Sequence, residues 1–273
     1  MTASELYQAG QLSEAIQAAV DDVKKHPGEI GRRAFFCELL CFSGDLERAD
    51  KQLDAIMTQK PDAAVTTALF RQLIRAETIR REVYEQGRAP EFLDAPSPLL
   101  EAHLKLLLAL REGDQAQSVR LLAEIDEMRP AIAGERDGTP FDDLRDLDDL
   151  SASYCEVLTS TGKYYWIPWT SIESIEFLPV EHPRDLLWRP AHMIVTDGPD
   201  GVVYVPVTYP GTRATNDEQL LLGRATDWLG NEGEVIRGVG QRTWLFGDED
   251  LPLLSVNTIT FNRGEGVSEN SEA

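Results

Sequence analysis

A glycine and a proline recur at a fixed spacing in the first half of the chain. Three glycines are each followed seventeen residues later by a proline, and the pairs are Gly10 with Pro27, Gly44 with Pro61, and Gly113 with Pro130. The first two glycines lie 34 residues apart and the next two lie 69 apart, which is about two periods. A period near 34 with glycine at the turn is typical of tetratricopeptide helical hairpins. Such hairpins stack into surfaces that bind a peptide or helix of another protein, so the pattern constrains fold and function together.

The charge of the chain excludes some classes of partner. Its 273 residues carry a net charge of −21, and residues 131–273 hold 10 basic and 25 acidic side chains. This excess repels phosphate backbones and anionic lipids, so we expect neither a nucleic acid nor a membrane as partner. The first residues lack a basic and apolar secretory signal, and three cysteines in such a chain are expected to be reduced thiols. The sequence therefore predicts a cytoplasmic protein.

Apolar periodicity predicts an α+β multidomain fold. We expect TPR-like α-helical hairpins over 1–130, with a longer helix at 62–86, followed by a linker over 131–150. Strand-like runs and hairpin turns predict a small, mainly-β, barrel-like domain with short helices over 151–262. The helical interruptions are expected at 172–177 and 217–229, and 263–273 is predicted to be a disordered tail.

The predicted linker contains the signature of a short acidic helix. Thr139 is a good N-cap, Pro140 suits the first helical position, and Asp142 and Asp143 favour the positive end of a helix dipole. Apolar residues then follow every three positions up to residue 150. An acidic amphipathic helix is therefore predicted over 139–150.

Basic residues cluster on the predicted long helix and just after it. Helical ion pairs on a solvated face are one interpretation of this cluster, because glutamates are interleaved with the arginines. The other is that the arginines contact the acidic helix, or an acidic partner, and fix the arrangement of the domains. The candidate residues for this role are Arg71, Arg75, Arg80, Arg81, Arg88, Asp142, Asp143 and Asp146.

Aromatic residues form a second cluster, in the predicted β domain. Strand alternation places Tyr164 and Trp166 on one face and Tyr165 on the other. Packing in the core of a small β domain is one interpretation, and a docking patch of aromatics with arginine is the alternative. The candidate residues for such a patch are Trp166, Trp169, Trp188 and Arg189.

Catalytic and metal-binding patterns are not visible in the sequence. The four histidines are dispersed, and Cys37 and Cys41, one helical turn apart, have no second pair with which to hold a metal. We therefore predict neither a catalytic residue, a metal nor a cofactor. The alternative is a small-molecule-binding or enzymatic C-terminal β domain, carried on a TPR-like interaction module. Its pocket residues would be Arg184, Trp188, Arg189, Asp227 and Arg242.

Seven short motifs, in order along the chain, resemble the ImpE family, also called TagJ or SciE. The resemblance extends over roughly residues 1–261. The motifs are RREVYEQGRAP (80–90), RDLDD (145–149), LTSTGKYYWIPW (158–169), RDLLWRPA (184–191), YPG (209–211), LGRATDW (222–228) and RGVGQR (237–242).

The resemblance implies a function that the residues alone do not specify. It implies a cytoplasmic, non-enzymatic accessory or adaptor protein of the bacterial type VI secretion system. The implied partner is a helical segment of the small contractile-sheath subunit, with assistance to the AAA+ unfoldase that recycles the sheath. The family motifs do not specify which residues contact the sheath. A helical groove of the kind predicted for 1–130 suits such a partner.

Overall fold

The computed structural model describes residues 1–262, in which seven helices precede most of the strands. The predicted tail, 263–273, lies outside the described residues. The helices are α1 (Ala3–Gln8), α2 (Leu12–Lys25), α3 (Ile30–Phe42), α4 (Leu46–Gln59), α5 (Ala64–Gln86), α6 (Pro98–Glu112) and α7 (Gln115–Met128).

The repeated glycines form the turns between helices, as predicted. Gly10, Gly44 and Gly113 have φ angles of 80°, 81° and 71° and join α1 to α2, α3 to α4 and α6 to α7. A residue with a side chain is strained in this left-handed region of backbone conformation, so glycine lets the chain reverse sharply at each of these turns. The aspartate after two of these turns caps the next helix, because Asp45 and Asp114 accept backbone N–H bonds from Arg48 and Gln117.

The second part of the chain forms one large and two small antiparallel sheets. The large sheet has the strand order β2-β1-β13-β6-β7-β8-β4-β5, and the small ones are β12-β11-β3 and β10-β9. The strands are β1 (Gly134–Arg136), β2 (Thr139–Phe141), β3 (Leu144–Asp146), β4 (Tyr154–Leu158), β5 (Tyr164–Pro168), β6 (Ile172–Phe177), β7 (Trp188–Val195), β8 (Asp200–Pro206), β9 (Thr226–Leu229), β10 (Arg237–Gly240), β11 (Thr243–Phe246), β12 (Glu249–Pro252) and β13 (Thr258–Phe261), with one further helix, α8 (Glu218–Leu221).

The large sheet is open, so the barrel-like form that we predicted is wrong. Its edge strands β2 and β5 do not pair with each other. The outer edge of β5 is instead covered by the crossover that follows α5. Glu91 receives a hydrogen bond from Trp166 N at 3.1 Å and donates one to Tyr164 O at 3.0 Å. This crossover satisfies the backbone groups that β5 would otherwise have offered to a closing strand.

The acidic helix that we predicted over 139–150 is wrong. Asp137 and Gly138, with φ angles of 48° and 79°, form a two-residue turn between β1 and β2. Asp-Gly is a strong hairpin signal, and here it outweighs the apparent N-cap at Thr139. Residues 144–146 then pair with β11. The helix expected at 172–177 is also wrong, because this segment is β6. The helix expected at 217–229 is confirmed only over α8, after which β9 follows.

Helices and strands share one of the two apolar cores. This shared core includes buried residues of α1–α7 together with Tyr154, Leu158, Trp166 and Trp188 from the β part. The second core lies within the β part. Tyr164 and Trp166 belong to the shared core while Ile167 belongs to the second, as strand alternation requires. The domain boundaries at 130/131 and 150/151 stay predictions.

Candidate functional site

A buried ion network joins α5 to the β part. Arg80 on α5 donates two hydrogen bonds to Glu156 on β4, at 2.8 and 3.0 Å, and a third to Thr208 O at 2.9 Å. Arg242 contacts the same carboxylate and also Asp146 on β3. Arg80, Arg242, Glu156 and Asp146 are all nearly or fully inaccessible to solvent. The network therefore connects four segments of the chain inside the protein: α5, β3, β4 and the link between β10 and β11.

The charges in this network are compensated by pairing. Burial alone would raise the pKa of Glu156, but Arg80 and Arg242 outweigh it and lower that pKa well below its usual range. Tyr84 and Tyr164 also donate hydrogen bonds to Glu156. Burial raises the pKa of Asp146 to about 6, although Arg242 opposes this shift. Because donors surround Glu156, it stabilises the fold and is not available as a general base.

Two further contacts fix the helices against the β part. Glu38 on α3 accepts a hydrogen bond from Arg184 at 3.0 Å, and burial raises the pKa of Glu38 to about 7 despite this arginine. Glu218 on α8 accepts backbone N–H bonds from Leu12 and Ser13, at 2.9 and 2.8 Å, and so caps α2. The sequence did not point to Glu218, because it lies about two hundred residues from the helix it caps.

A solvent-filled cleft lies between α4 and α5 and is the main candidate binding site. Its volume is about 1130 Å³, and it includes the glycine turn before α4. Apolar side chains such as Leu46, Met57 and Ile79 line it beside charged ones. The charged lining residues are Asp45, Glu47, Asp50, Arg71, Arg75, Arg81, Glu82, Glu85, Arg88 and Arg213.

The predicted arginines divide between this cleft and the buried network. Arg80 alone enters the network, whereas Arg71, Arg75, Arg81 and Arg88 line the cleft.

The cleft arginines differ in how far they are already paired. Arg71 pairs with Asp50 at 2.7 Å, and Arg88 with Glu82 at 2.7 Å. Arg81 donates to Gly44 O at 2.7 Å. Within residues 1–262, Arg75 and Arg213 make neither an ion pair nor a side-chain hydrogen bond, and Arg75 is exposed. These two cations are therefore available to a partner.

The predicted aspartates do not form one acidic surface. Asp143 pairs with Arg129 at 2.5 Å, and Asp142 is exposed. Asp146 is linked to Arg80 only indirectly, through Arg242 and Glu156. Glu156, like Glu218, is a residue that sequence reasoning missed. The available signal was a lone carboxylate in the otherwise apolar sequence of β4, since a charge on a buried strand requires a partner.

The predicted aromatic patch is buried. Trp166, Trp169, Trp188 and Arg189 are at most 5% exposed. Trp166 stacks on Tyr154 with ring centroids 4.1 Å apart, and Arg189 donates to the carbonyls of Leu253 and Val256. Core packing, the first of the two interpretations, therefore describes this set.

The residues of the enzymatic alternative do not converge on a pocket. Arg184 contacts Glu38, Arg242 is inside the buried network, and Asp227 is exposed on β9. Burial raises the pKa of the Cys37 thiol to about 12, so this thiol is protonated. In the part of the chain that the structure describes, no group of three metal-ligating side chains comes together. Nor does any helix between residues 1 and 262 combine the length and apolarity needed to cross a membrane.

Comparison with known proteins shows similarity to one protein family. A model of the ImpE protein family matches residues 138–260. The type VI secretion system accessory component TagJ of Pseudomonas aeruginosa PAO1 is 28% identical over 261 residues, covering 96% of this chain and 91% of that protein. The crystal structure of Vibrio parahaemolyticus protein VPA1032 superimposes with a TM-score of 0.90 at 28% identity, covering 96% of this chain and 98% of that one. The chain that contains the buried network and the α4–α5 cleft is thus similar to the ImpE family over residues 138–260 and to TagJ over nearly its whole length.

Proposed function

We propose that this protein is an accessory component of a type VI secretion system that binds a helical segment of the small contractile-sheath subunit. It acts in the cytoplasm, without catalysis of its own, and assists the AAA+ unfoldase that recycles the sheath. The observation that carries the accessory role is the similarity to TagJ along nearly the whole of both chains. The sheath and unfoldase follow from the family resemblance of the motifs.

The α4–α5 cleft is the surface that we assign to the sheath helix. A helical partner needs an elongated groove with apolar anchors and polar edges, and this cleft offers both along the length of α5. One wall, α4, follows the glycine turn at Gly44 that is typical of TPR-like units. The cleft is large enough to hold part of a helix without rearrangement of the shared core.

The unpaired arginines give the cleft its selectivity. Arg75 on α5 and Arg213 from the β part both line it, and neither makes an ion pair within residues 1–262. In a chain with a net charge of −21 they are two cations without an acidic partner in the described part of the chain. We therefore expect the bound helix to present a carboxylate near Arg75, where pairing strengthens attraction and fixes register.

Binding of a defined peptide tests the sheath contact. The full chain is titrated against a fluorescein-labelled N-terminal segment of the small sheath subunit from the same genome, and Kd is measured by anisotropy. Arg75→Glu should weaken binding at least about tenfold, because it replaces an attraction by a repulsion. Arg120→Glu, on the exposed face of α7, is the matched control. A wild-type protein that does not bind the segment, or equal losses in both variants, would contradict the sheath assignment.

The unfoldase role needs a separate measurement. The rate of ATP-dependent removal of sheath subunits by the purified unfoldase is compared with and without this protein. We expect a faster rate in its presence that Arg75→Glu reverses. An unchanged rate would remove this part of the proposal and leave the sheath contact in place.

A further inference from the structure

A two-stranded ribbon in the β part presents apolar side chains to solvent. Trp228 is 38% exposed and Leu229 52% exposed, although both lie within β9. The other four tryptophans are at most 3% exposed. Large exposed apolar residues on a strand often mark an interaction surface. Neither the buried network nor the α4–α5 cleft includes this ribbon.

The ribbon is held in place on one side and open on the other. Along β10, Gly238 N donates to Asp148 at 3.0 Å and Gly240 N donates to Thr212 at 2.7 Å. β9 pairs with β10 alone and has no second strand neighbour within residues 1–262. Trp228 is therefore presented by an anchored element whose outer edge has no strand partner among the described residues, and an extended segment that pairs there would replace the Asp227 side chain as acceptor for Trp228 N, which now donates to it at 2.9 Å.

An apolar hollow lies beside the exposed tryptophan. Its volume is about 530 Å³, within the range of binding pockets. Trp228 forms one wall, and Tyr209 supports it with ring centroids 5.8 Å apart. The hollow separates the β9–β10 ribbon from β11 and β12. Its lining residues are Leu147, Thr226, Trp228, Ile236, Thr243, Asp250 and Pro252.

The surroundings of the hollow are strongly acidic. Residues 226–252 contain six carboxylates and two arginines, and both arginines are held by buried aspartates: Arg237 by Asp148 and Arg242 by Asp146. Glu232 and Asp250 are exposed and have no ion-pair partner within the described residues. Glu249 pairs with Arg136 at 2.8 Å, whereas Asp250, which lines the hollow, is left to be neutralised by a ligand.

We propose that this hollow, which we call the Trp228 surface, binds an extended segment of another protein with lysine or arginine on both sides of a large apolar side chain. The apolar side chain enters the hollow, the basic ones face Glu232 and Asp250, and the backbone lies along β9. A second copy of this chain does not suit the site, because like surfaces would oppose carboxylate to carboxylate. The Trp228 surface differs from the cleft in position and in the charge of its partner.

Three synthetic peptides test the chemistry of the partner. The probe is a seven-residue capped peptide with a central Ile-Phe-Val and two lysines on each side. In one comparison peptide glutamates replace the lysines, and in another serine and glycine replace the apolar residues. We expect the probe to bind at least about tenfold more tightly than either, with an affinity that falls as salt is added. Equal binding of the three peptides would overturn the proposal.

Acrylamide quenching locates the bound peptide. Because Trp228 is the exposed tryptophan among five, it accounts for most of the quenchable fluorescence. Saturation with the tryptophan-free probe should reduce the quenching constant to about half or less. Binding that leaves the quenching constant unchanged would place the peptide elsewhere and overturn the proposal.

Matched variants distinguish the contribution of the Trp228 surface to binding from general effects of lost charge or apolar area. Trp228→Ser, and Glu232→Gln combined with Asp250→Asn, should each weaken binding of the labelled probe at least about fivefold. The controls are Val180→Ser, another exposed apolar position, and Glu124→Gln combined with Glu127→Gln on α7. Controls that lose as much affinity as the test variants would refute the assignment. Self-association of the wild type in sedimentation velocity, abolished by Trp228→Ser, would replace it with a dimer interface.

Discussion

Replacement of Arg80 by methionine should destabilise the whole molecule. Arg80 is 3% exposed and is bound to Glu156, Glu77 and the carbonyl of Thr208. Methionine fills much of the same volume but removes the positive charge. Glu156 would then remain buried with half of its arginine pairing lost.

The loss of stability depends on the hydrogen bonds that Glu156 keeps when Arg80 is replaced. Breaking a buried pair by removing one partner typically costs about 3–5 kcal/mol. Glu156 would still accept hydrogen bonds from Arg242, Tyr84 and Tyr164. We therefore expect the lower end, about 3 kcal/mol in the free energy of unfolding. Arg80→Met combined with Glu156→Met should cost less than the sum of the single changes, because no uncompensated carboxylate then remains on β4.

Urea unfolding at neutral pH measures this prediction. Circular dichroism reports the helices, and tryptophan fluorescence reports the β part, which holds all five tryptophans, two of them in the shared core. Because helices and strands share that core, the two probes should give the same midpoint. Arg88→Met is the control, since its pair with Glu82 is 47% and 31% exposed and should contribute less than about 1 kcal/mol. A loss below about 1 kcal/mol for Arg80→Met would refute the reasoning on pairing. Two separate unfolding transitions would refute the argument that helices and strands unfold together because they share a core.

Three other variants test contacts between the two parts of the chain. Burial raises the pKa of Glu38 from 4.5 to about 7, so the unfolded state releases this proton at lower pH than the folded state does. As pH rises from about 4.5 to 7, the free energy of unfolding of the wild type should therefore fall relative to that of Glu38→Gln, by at most about 3 kcal/mol in urea titrations. A difference between the two proteins that does not change with pH would contradict this. Glu218→Ala should cost about 1 kcal/mol in the same assay through loss of the α2 cap, whereas the exposed Glu124→Ala should cost little. Gly10→Ala and Gly113→Ala should each cost about 1–2 kcal/mol, because both glycines have positive φ and the flexible end of Gln219 beside Gly10 can move aside. Gly28→Ala, without a positive φ, should be nearly neutral, and an equal effect at all three would contradict the argument.

Local sequence signals predicted the helical part well. The glycines at 10, 44 and 113 determine turns by their own backbone freedom, so their effect does not depend on distant residues. The long helix predicted at 62–86 is α5, over Ala64–Gln86. The same local logic failed at Thr139, where the N-cap pattern competed with the Asp-Gly turn one residue earlier. Two valid local signals overlapped there, and pairing with a distant strand decided between them.

The buried network could be predicted only in part, because its members are far apart in the chain. The arginine cluster was visible, and one of its members, Arg80, does join the helices to the β part. Its partner Glu156 lies 76 residues away, and Arg242 lies a further 86 residues beyond that carboxylate. Charge spacing along a helix cannot identify such partners, because the sheet topology brings them together. A buried carboxylate in a strand shows that a cation is required, but not which one.

Glu77 connects the buried network to the α4–α5 cleft. Its carboxylate accepts hydrogen bonds from Arg80, from Arg81 in the cleft wall, and from Trp188 Nε1 at 3.2 Å. Arg81 in turn holds the carbonyl of Gly44, in the turn that begins α4. A change at Arg80 therefore reaches the cleft through two side chains, one of them directly bonded to a turn that shapes it. For this reason the β part, which supplies Glu156 and Trp188, is needed for the geometry of a cleft built largely by helices.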